Sequence, residues 1–236
     1  MKILHLKTLL FAISCLFTSA LQAQTYTLKF KTNQGKFEAI LYDFTPNHRD
    51  LILSEIEKGT YKKAEFNRVI KNFVIQGGEL DEPILKREAE NPDQTPIRLA
   101  PEFNPKAFHK LGALGAGRDD NPTKGSYFNQ IYFVVGKRIN AIELESLEQK
   151  KGIKFTAQQK EEYLKNGGLP RLDHDYTVFG EITKGLPVVL KISREDTDAN
   201  DVPEDPIIFT IKVKKNNPKM VKKTSFSIGG GFTNFK

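Results

Sequence analysis

Thirteen residues, Phe66-Asn67-Arg68-Val69-Ile70-Lys71-Asn72-Phe73-Val74-Ile75-Gln76-Gly77-Gly78, constrain this chain more than any other stretch. They read as a strand, a tight connection, a second strand and a glycine break. Alternation with a period of two puts Phe66, Arg68 and Ile70 on one face, and Phe73 and Ile75 together on one face of the next strand. A guanidinium (Arg68) and a carboxamide (Gln76) in so apolar a hairpin are costly to bury without partners. Either a carboxylate at a sheet edge holds the arginine, or both groups face a ligand.

The flanking sequence extends the β reading. Tyr26, Leu28 and Phe30 alternate with polar residues, Asn33-Gln34-Gly35 turns, and Phe37, Ala39 and Leu41 alternate again, which predicts an antiparallel hairpin with one buried face. Thr45-Pro46 opens a helix, with threonine as N-cap and proline at the first position, that stops at Gly59. Pro83, Pro92, Pro96, Pro101 and Pro105 mark residues 80–107 as a long ordered loop. Leu111 to Gly117 and Ile131 to Val135 read as strands.

A helical insertion over about 137–170 follows, signalled by the capping-box pairs Asn140/Glu143 and Thr156/Gln159 and by stops at Gly152 and Gly167. Leu144, Leu147, Tyr163 and Leu164 are its expected buried positions. Val178-Phe179-Gly180 leads to a short core helix over Leu186 to Ile192, residues 195–205 form an acidic loop, and Pro206 to Val213 is a closing strand. Strands dominate and no βαβ alternation appears, so the expected architecture is mainly β: a closed antiparallel barrel of about eight strands capped by two helices.

Residues 1–23 carry Lys2 and Lys7, a short apolar core and small residues ending at Ala23. That pattern predicts a secretory signal peptide, too short to span a membrane, with a lipid anchor on Cys15 as the alternative. Cys15 is the only cysteine, so an exported chain cut after Ala23 has neither a disulfide framework nor a thiol nucleophile. The expected place is the periplasm. The formal charge of +7 does not describe the body of the chain. Two lysines leave with the leader, and 214–236 holds six lysines and no acid, so 24–213 is close to neutral. A near-neutral body with a basic, solvated tail excludes a phosphate-reading domain, and no nucleic-acid partner is expected.

The stretch F-x-R-V-I-x-x-F-V-I-Q-G-G at 66–78 closely resembles the signature of the cyclophilin-type peptidyl-prolyl isomerases. The resemblance runs from about 26 to 213, interrupted by the insertion. It includes Tyr42-Asp43-Phe44-Thr45-Pro46, Gly59-Thr60-Tyr61, His109-Lys110-Leu111-Gly112-Ala113-Leu114 and Leu172-Asp173 with Tyr176-Thr177-Val178-Phe179-Gly180. It implies a cyclophilin-like barrel over 24–213 that acts as a monomer on Xaa-Pro segments of unfolded or exported proteins, with no cofactor and no metal. By family position Arg68 favours the twisted amide, and Gln76 hydrogen-bonds Arg68 and the substrate backbone. Phe73 and Val74 line the proline pocket, and Leu172 forms its far wall.

The family's S-Q-F-Y stretch has two possible counterparts, Gly125-Ser126-Tyr127-Phe128 or Asn129-Gln130-Ile131-Tyr132. The second is preferred because it keeps a glutamine, Gln130, and a pocket aromatic, Tyr132. Arg171 and Tyr176 stand where many eukaryotic members carry tryptophan and histidine, so Tyr176 is a substrate contact of altered character. A proline-segment-binding module or chaperone with weak catalysis is the alternative function. The insertion reads either as a substrate-recruiting arm or as a decoration packed on the barrel.

Other constellations carry no function. The glycines of 112–117 are in the wrong order for a dinucleotide loop. Asp173-His174-Asp175 reads as a solvated turn rather than a metal site. The acidic run 195–205 lacks calcium-loop spacing. His109 receives a structural role only.

Overall fold

The computed structural model describes residues 26–79 and 81–216. The predicted leader, Cys15 and most of the basic tail lie outside them. Lys214 and Lys215, assigned to the tail from sequence, belong instead to the last strand. Among the described residues no helix is long and apolar enough to cross a membrane.

Among the described residues nine strands form one antiparallel sheet. The first two, β1 (Tyr26–Thr32) and β2 (Gly35–Leu41), make the expected hairpin, with Phe30 opposite Phe37 and Leu28 opposite Ala39. Helix α1 (Pro46–Lys58) then leads to the short β3 (Ala64–Glu65) and β4 (Arg68–Val69), and to β5 (Val74–Gly78). Helix α2 (Asp81–Ala89), β6 (Ala113–Ala116) and β7 (Gln130–Val134) follow. The insertion supplies α3 (Ala141–Lys151) and α4 (Ala157–Asn166), and the chain ends with β8 (Val178–Lys184), α5 (Leu186–Ile192) and β9 (Ile208–Lys215).

The strand order is β3-β9-β1-β2-β8-β6-β7-β5-β4. The two edge strands, β3 and β4, are therefore neighbours in sequence, separated only by Phe66 and Asn67. The sheet is curled, and the closed barrel expected is not shown: β3 and β4 are not paired with each other, and the linker between them donates from Phe66 N to Ile207 O (2.9 Å) and from Asn67 Nδ2 to Gly78 O (2.6 Å). Gly77 permits the approach: a Cβ there would lie 2.7 Å from the Glu65 carbonyl oxygen.

The concave side is an aromatic core. Phe30 stacks on Phe37 at 4.5 Å, Phe66 stacks on Phe209 at 4.4 Å, and Phe133 meets Phe30 and Phe37 edge-on at 5.2 and 5.1 Å. Such pairs add about 0.5–1.5 kcal/mol each to the burial of their rings. This core explains why the faces of the 66–78 run differ from the alternation expected. Phe66 precedes β4 and turns inward with Val69 and Ile75, whereas Arg68 lies on the outer face opposite Gln76. Phe73 lies before β5 begins, so it joins Val74 on the outside instead of sharing a face with Ile75.

Three further expectations change. Asp81–Ala89 is helical rather than loop, because Pro83 sits in the first turn, where its missing N–H breaks no intrahelical bond. Both capping boxes of the insertion form as expected, and Leu144 and Tyr163 are buried with Phe108 and Phe155, but Leu164 points outward. Thr45 does not cap α1 through its side chain. Glu102 does so from the proline-rich segment, accepting from Asn47 N (3.1 Å), His48 N (2.9 Å) and His48 Nδ1 (2.7 Å). A carboxylate suits the partial positive charge of a helix start.

His48 is buried between Glu102 and Ser126, and burial outweighs Glu102 to hold its pKa below the ordinary value. The folded state thus refuses a proton that the unfolded chain accepts. This contribution to stability is complete above the unfolded pKa of about 6.5 and is lost as pH falls towards the folded value. The thermal midpoint is expected to drop between pH 7.5 and 5.5, and to drop less in a His48→Gln variant.

Candidate active site

The outer face of β5, β6 and β7 carries a second apolar cluster containing Tyr42, Val74, Ala113, Tyr132, Val134, Leu169, Leu172 and Val178, with Phe73 and Tyr176 packed against it. A groove of about 240 Å³ opens over this cluster. Arg68, Phe73, Val74 and Gln76 line it from the signature hairpin, Gln130 and Tyr132 from β7, and Leu172 and Tyr176 from the segment before β8. The structure therefore brings all eight sequence-selected residues to one surface. Of the two stretches weighed for 125–132, the second faces the groove. Tyr127 and Phe128 instead line a separate cavity of about 430 Å³ beside α2.

Arg68 and Gln76 occupy directly opposed positions of the β4–β5 ladder. The guanidinium pairs with Asp201, whose Oδ2 lies 3.5 Å from Nε, rather than with Gln76 as the family resemblance implies. Asp201 comes from the acidic loop and is held close because its carbonyl accepts from Val69 N (2.8 Å). Arg68 and Asp201 are both about two-fifths exposed, so water screens the pair and its worth to stability is small. It places a carboxylate beside the Nε edge of the arginine. Asp201→Asn is expected to lower kcat/KM about two- to fivefold while leaving the unfolding free energy within about 0.5 kcal/mol of wild type. Peptide kinetics alongside urea denaturation would check both.

The opposite rim is built by stacked cations. The Arg171 guanidinium lies 4.4 Å above the Phe73 ring, and that of Arg118 lies 4.6 Å above Tyr176. Arg118 Nε also donates to Asp175 O at 2.6 Å, fixing the segment that carries Tyr176. Gln130 Nε2 donates to Asp81 Oδ1 (2.5 Å) and to Glu79 O (3.0 Å), so α2 orients this carboxamide. Sequence reading missed Asp81 and Asp201 because both belong to segments read as loop, and no local pattern tells which carboxylate of a loop reaches a distant groove.

Tyr132 is the floor. Its ring lies across Gly115, where a Cβ would come 2.2 Å from the ring, and it meets Tyr176 edge-on at 6.2 Å. Burial raises its phenol pKa well above the ordinary value, so the group is a neutral hydroxyl. That hydroxyl bonds His109 Nε2 at 2.7 Å. His109 Nδ1 in turn faces Asp173 Oδ1 at 2.7 Å, and Asp173 is buried, in contrast to the solvated turn expected. Among the described residues no group of three or more His, Cys, Asp or Glu side chains is placed to hold a metal ion.

The groove therefore offers a half-exposed, permanently charged donor beside an apolar hollow, with two carboxamides along its length. The hydroxyl of Tyr132 is paired with a base, His109, but both are buried, so the pair is not presented to the groove as an open nucleophile. This chemistry fits a neutral, partly apolar ligand whose polar backbone is read by hydrogen bonds.

Comparison with known proteins agrees with that reading. The family model described as "Cyclophilin type peptidyl-prolyl cis-trans isomerase/CLD" matches residues 27–213. A Staphylococcus haemolyticus protein named "Putative peptidyl-prolyl cis-trans isomerase" is 29% identical over 185 residues, covering 78% of this chain and 88% of its own. A Streptococcus pyogenes protein named as a bifunctional phosphatase and peptidyl-prolyl isomerase is 30% identical over 187 residues, 78% of this chain and 37% of its own. Among solved structures, a Cryptosporidium parvum cyclophilin type isomerase aligns with a TM-score of 0.56 at 18% identity, covering 82% of this chain and 99% of that one. At that identity the last match speaks for the fold alone.

Proposed function

Because this chain belongs to the cyclophilin-type peptidyl-prolyl cis-trans isomerase family, we propose that the groove catalyses Xaa-Pro isomerisation by stabilising a twisted amide through Arg68. Amide resonance sets a barrier of about 18–20 kcal/mol and makes the uncatalysed rotation of an Xaa-Pro bond take tens of seconds or longer. Rotation breaks that resonance and returns a lone pair to the proline nitrogen. A fixed cation that donates to this nitrogen binds the twisted state better than either planar isomer, which is the requirement for a faster step. Guanidinium suits the task because it is planar, always charged and offers several donors in fixed directions.

In this reading the proline ring sits over Tyr132 between Phe73, Val74 and Leu172. Gln76 and Gln130 take the substrate backbone on either side, and Tyr176 closes the far end. The observation that carries the proposal is the pairing of Arg68 with Gln76 across one ladder position, both on the lining of a groove that also holds the apolar side chains of Phe73, Val74 and Leu172.

The clients we propose are exported proteins, met in the periplasm by a domain spanning 24–213. The support is compositional: the leader-like pattern of 1–23 and the absence of cysteine beyond Cys15. The test is refolding of an exported protein limited by an Xaa-Pro bond, a phase of about 10–100 s at 25 °C. Substoichiometric protein is expected to shorten that phase. A groove that only binds would leave its rate constant unchanged at substoichiometric amounts.

A further inference from the structure

The helical insertion contacts the groove through its far wall, residues 169–176. Two side chains make the connection. Lys151, in the last turn of α3, donates through Nζ to Arg171 O (2.8 Å), Asp173 O (2.5 Å) and Asp175 Oδ2 (2.6 Å). Tyr163, on α4 and fully buried, donates to Asp173 Oδ2 at 2.6 Å.

Asp173 is the junction. Its other oxygen, Oδ1, accepts from His109 N (2.9 Å) and faces His109 Nδ1 (2.7 Å). A proton on Nδ1, facing the carboxylate, leaves Nε2 as the acceptor for the Tyr132 hydroxyl. One buried chain, Tyr163–Asp173–His109–Tyr132, thus links an inserted helix to the floor of the groove. Leu172, the wall residue next to Asp173, is held by the same anchorage.

Resting on the isomerase reading above, we propose that Tyr163 and Lys151 are positioning residues of the isomerase site, and that the insertion sets the geometry of the proline pocket instead of recruiting substrate or decorating the barrel. A buried carboxylate needs its hydrogen bonds, and losing one of them loosens the rest of the network rather than a single contact. Tyr132 meets the proline ring with its face and the network with its hydroxyl. A shift of Asp173 therefore moves both Leu172 and Tyr132.

The test uses a four-residue Xaa-Pro peptide with the full chain and three variants, Tyr163→Phe, Lys151→Met and Tyr132→Phe. Each keeps the apolar body of the side chain, and circular dichroism and thermal midpoints fix a temperature at which all are folded. Tyr163→Phe and Lys151→Met are each expected to raise KM about threefold with kcat within about twofold of wild type. Combined with Tyr132→Phe, the effect of Tyr163→Phe on kcat/KM should fall short of the product of the single effects by at least about twofold.

An unchanged KM in folded Tyr163→Phe and Lys151→Met would overturn the proposal, leaving the insertion a stabilising element only. Effects of Tyr163→Phe and Tyr132→Phe that simply multiply would overturn the route through His109. A wild-type protein that does not isomerise the peptide would count against the isomerase reading instead. The same cycle run on peptide affinity by chemical-shift titration would then decide the positioning role.

Discussion

Arg68→Ala is expected to lower kcat/KM for a short Xaa-Pro peptide by about two orders of magnitude or more, the scale on which removing one preorganised transition-state donor is felt. Little of the loss should come from unfolding. The side chain is about two-fifths exposed, and its ion pair with Asp201 is screened by water. Arg68→Lys should recover only a small part of the rate. A lysine keeps the charge but not the planar fork, and its compact ammonium is more strongly hydrated. The check is a pair of measurements on each variant, peptide kinetics and urea unfolding. Large kinetic losses with near-wild-type unfolding curves are the predicted pattern. Parallel losses in both would return Arg68 to a structural role at the sheet edge.

The largest expected effect on stability lies one residue from the groove. Phe133 is fully buried on β7 and faces inward, meeting Phe30, Phe37 and Phe66 edge-on, while its neighbour Tyr132 faces outward to the groove. Phe133→Ala removes the ring that these three pack against and leaves a cavity that neighbouring aromatics cannot collapse to fill. A cost of about 3–5 kcal/mol follows, or a fall in thermal midpoint of roughly 10 °C for a domain of this size. Because β7 carries Gln130 and Tyr132 as well, KM per folded molecule should also rise. A loss below about 1 kcal/mol would mean that the aromatic core is far more plastic than its ring geometry implies.

These two residues also show what the sequence carried and what it did not. The alternating strands β1 and β2 were legible because one of their faces is buried and the other is not. The capping boxes at Asn140 and Thr156 were legible because they are local, each satisfied within three residues. The faces of the 66–78 run were not, since they depend on where β4 and β5 start. Two residues, Phe66 and Asn67, join the edges of the curled sheet outside any ladder and so break the alternation. Helix α2 hid behind a proline that its first turn tolerates.

The groove residues could be selected through the family pattern, but their partners could not. Asp201 reaches Arg68, Glu102 caps α1 and Asp173 meets His109 across long separations in sequence. Each is an ordinary carboxylate in its local context, and only the fold decides which cation or N–H it meets. The same limit applies to the insertion. Sequence gives its two helices and their ends, whereas its bearing on the groove rests on the single side chains Lys151 and Tyr163.

The central claim is that this groove accelerates rotation about an Xaa-Pro bond, and nuclear magnetic resonance exchange spectroscopy tests it most directly. A short Xaa-Pro peptide has separate cis and trans signals that do not exchange on the measurement timescale when it is free, because interconversion takes tens of seconds or longer. With the folded protein added at a small fraction of the peptide concentration, exchange peaks between the two forms are predicted to appear, and to vanish again with Arg68→Ala. Peptide signals that shift or broaden on binding while cis and trans remain unconnected would contradict the claim, and would make the groove a receptor for proline segments rather than a catalyst.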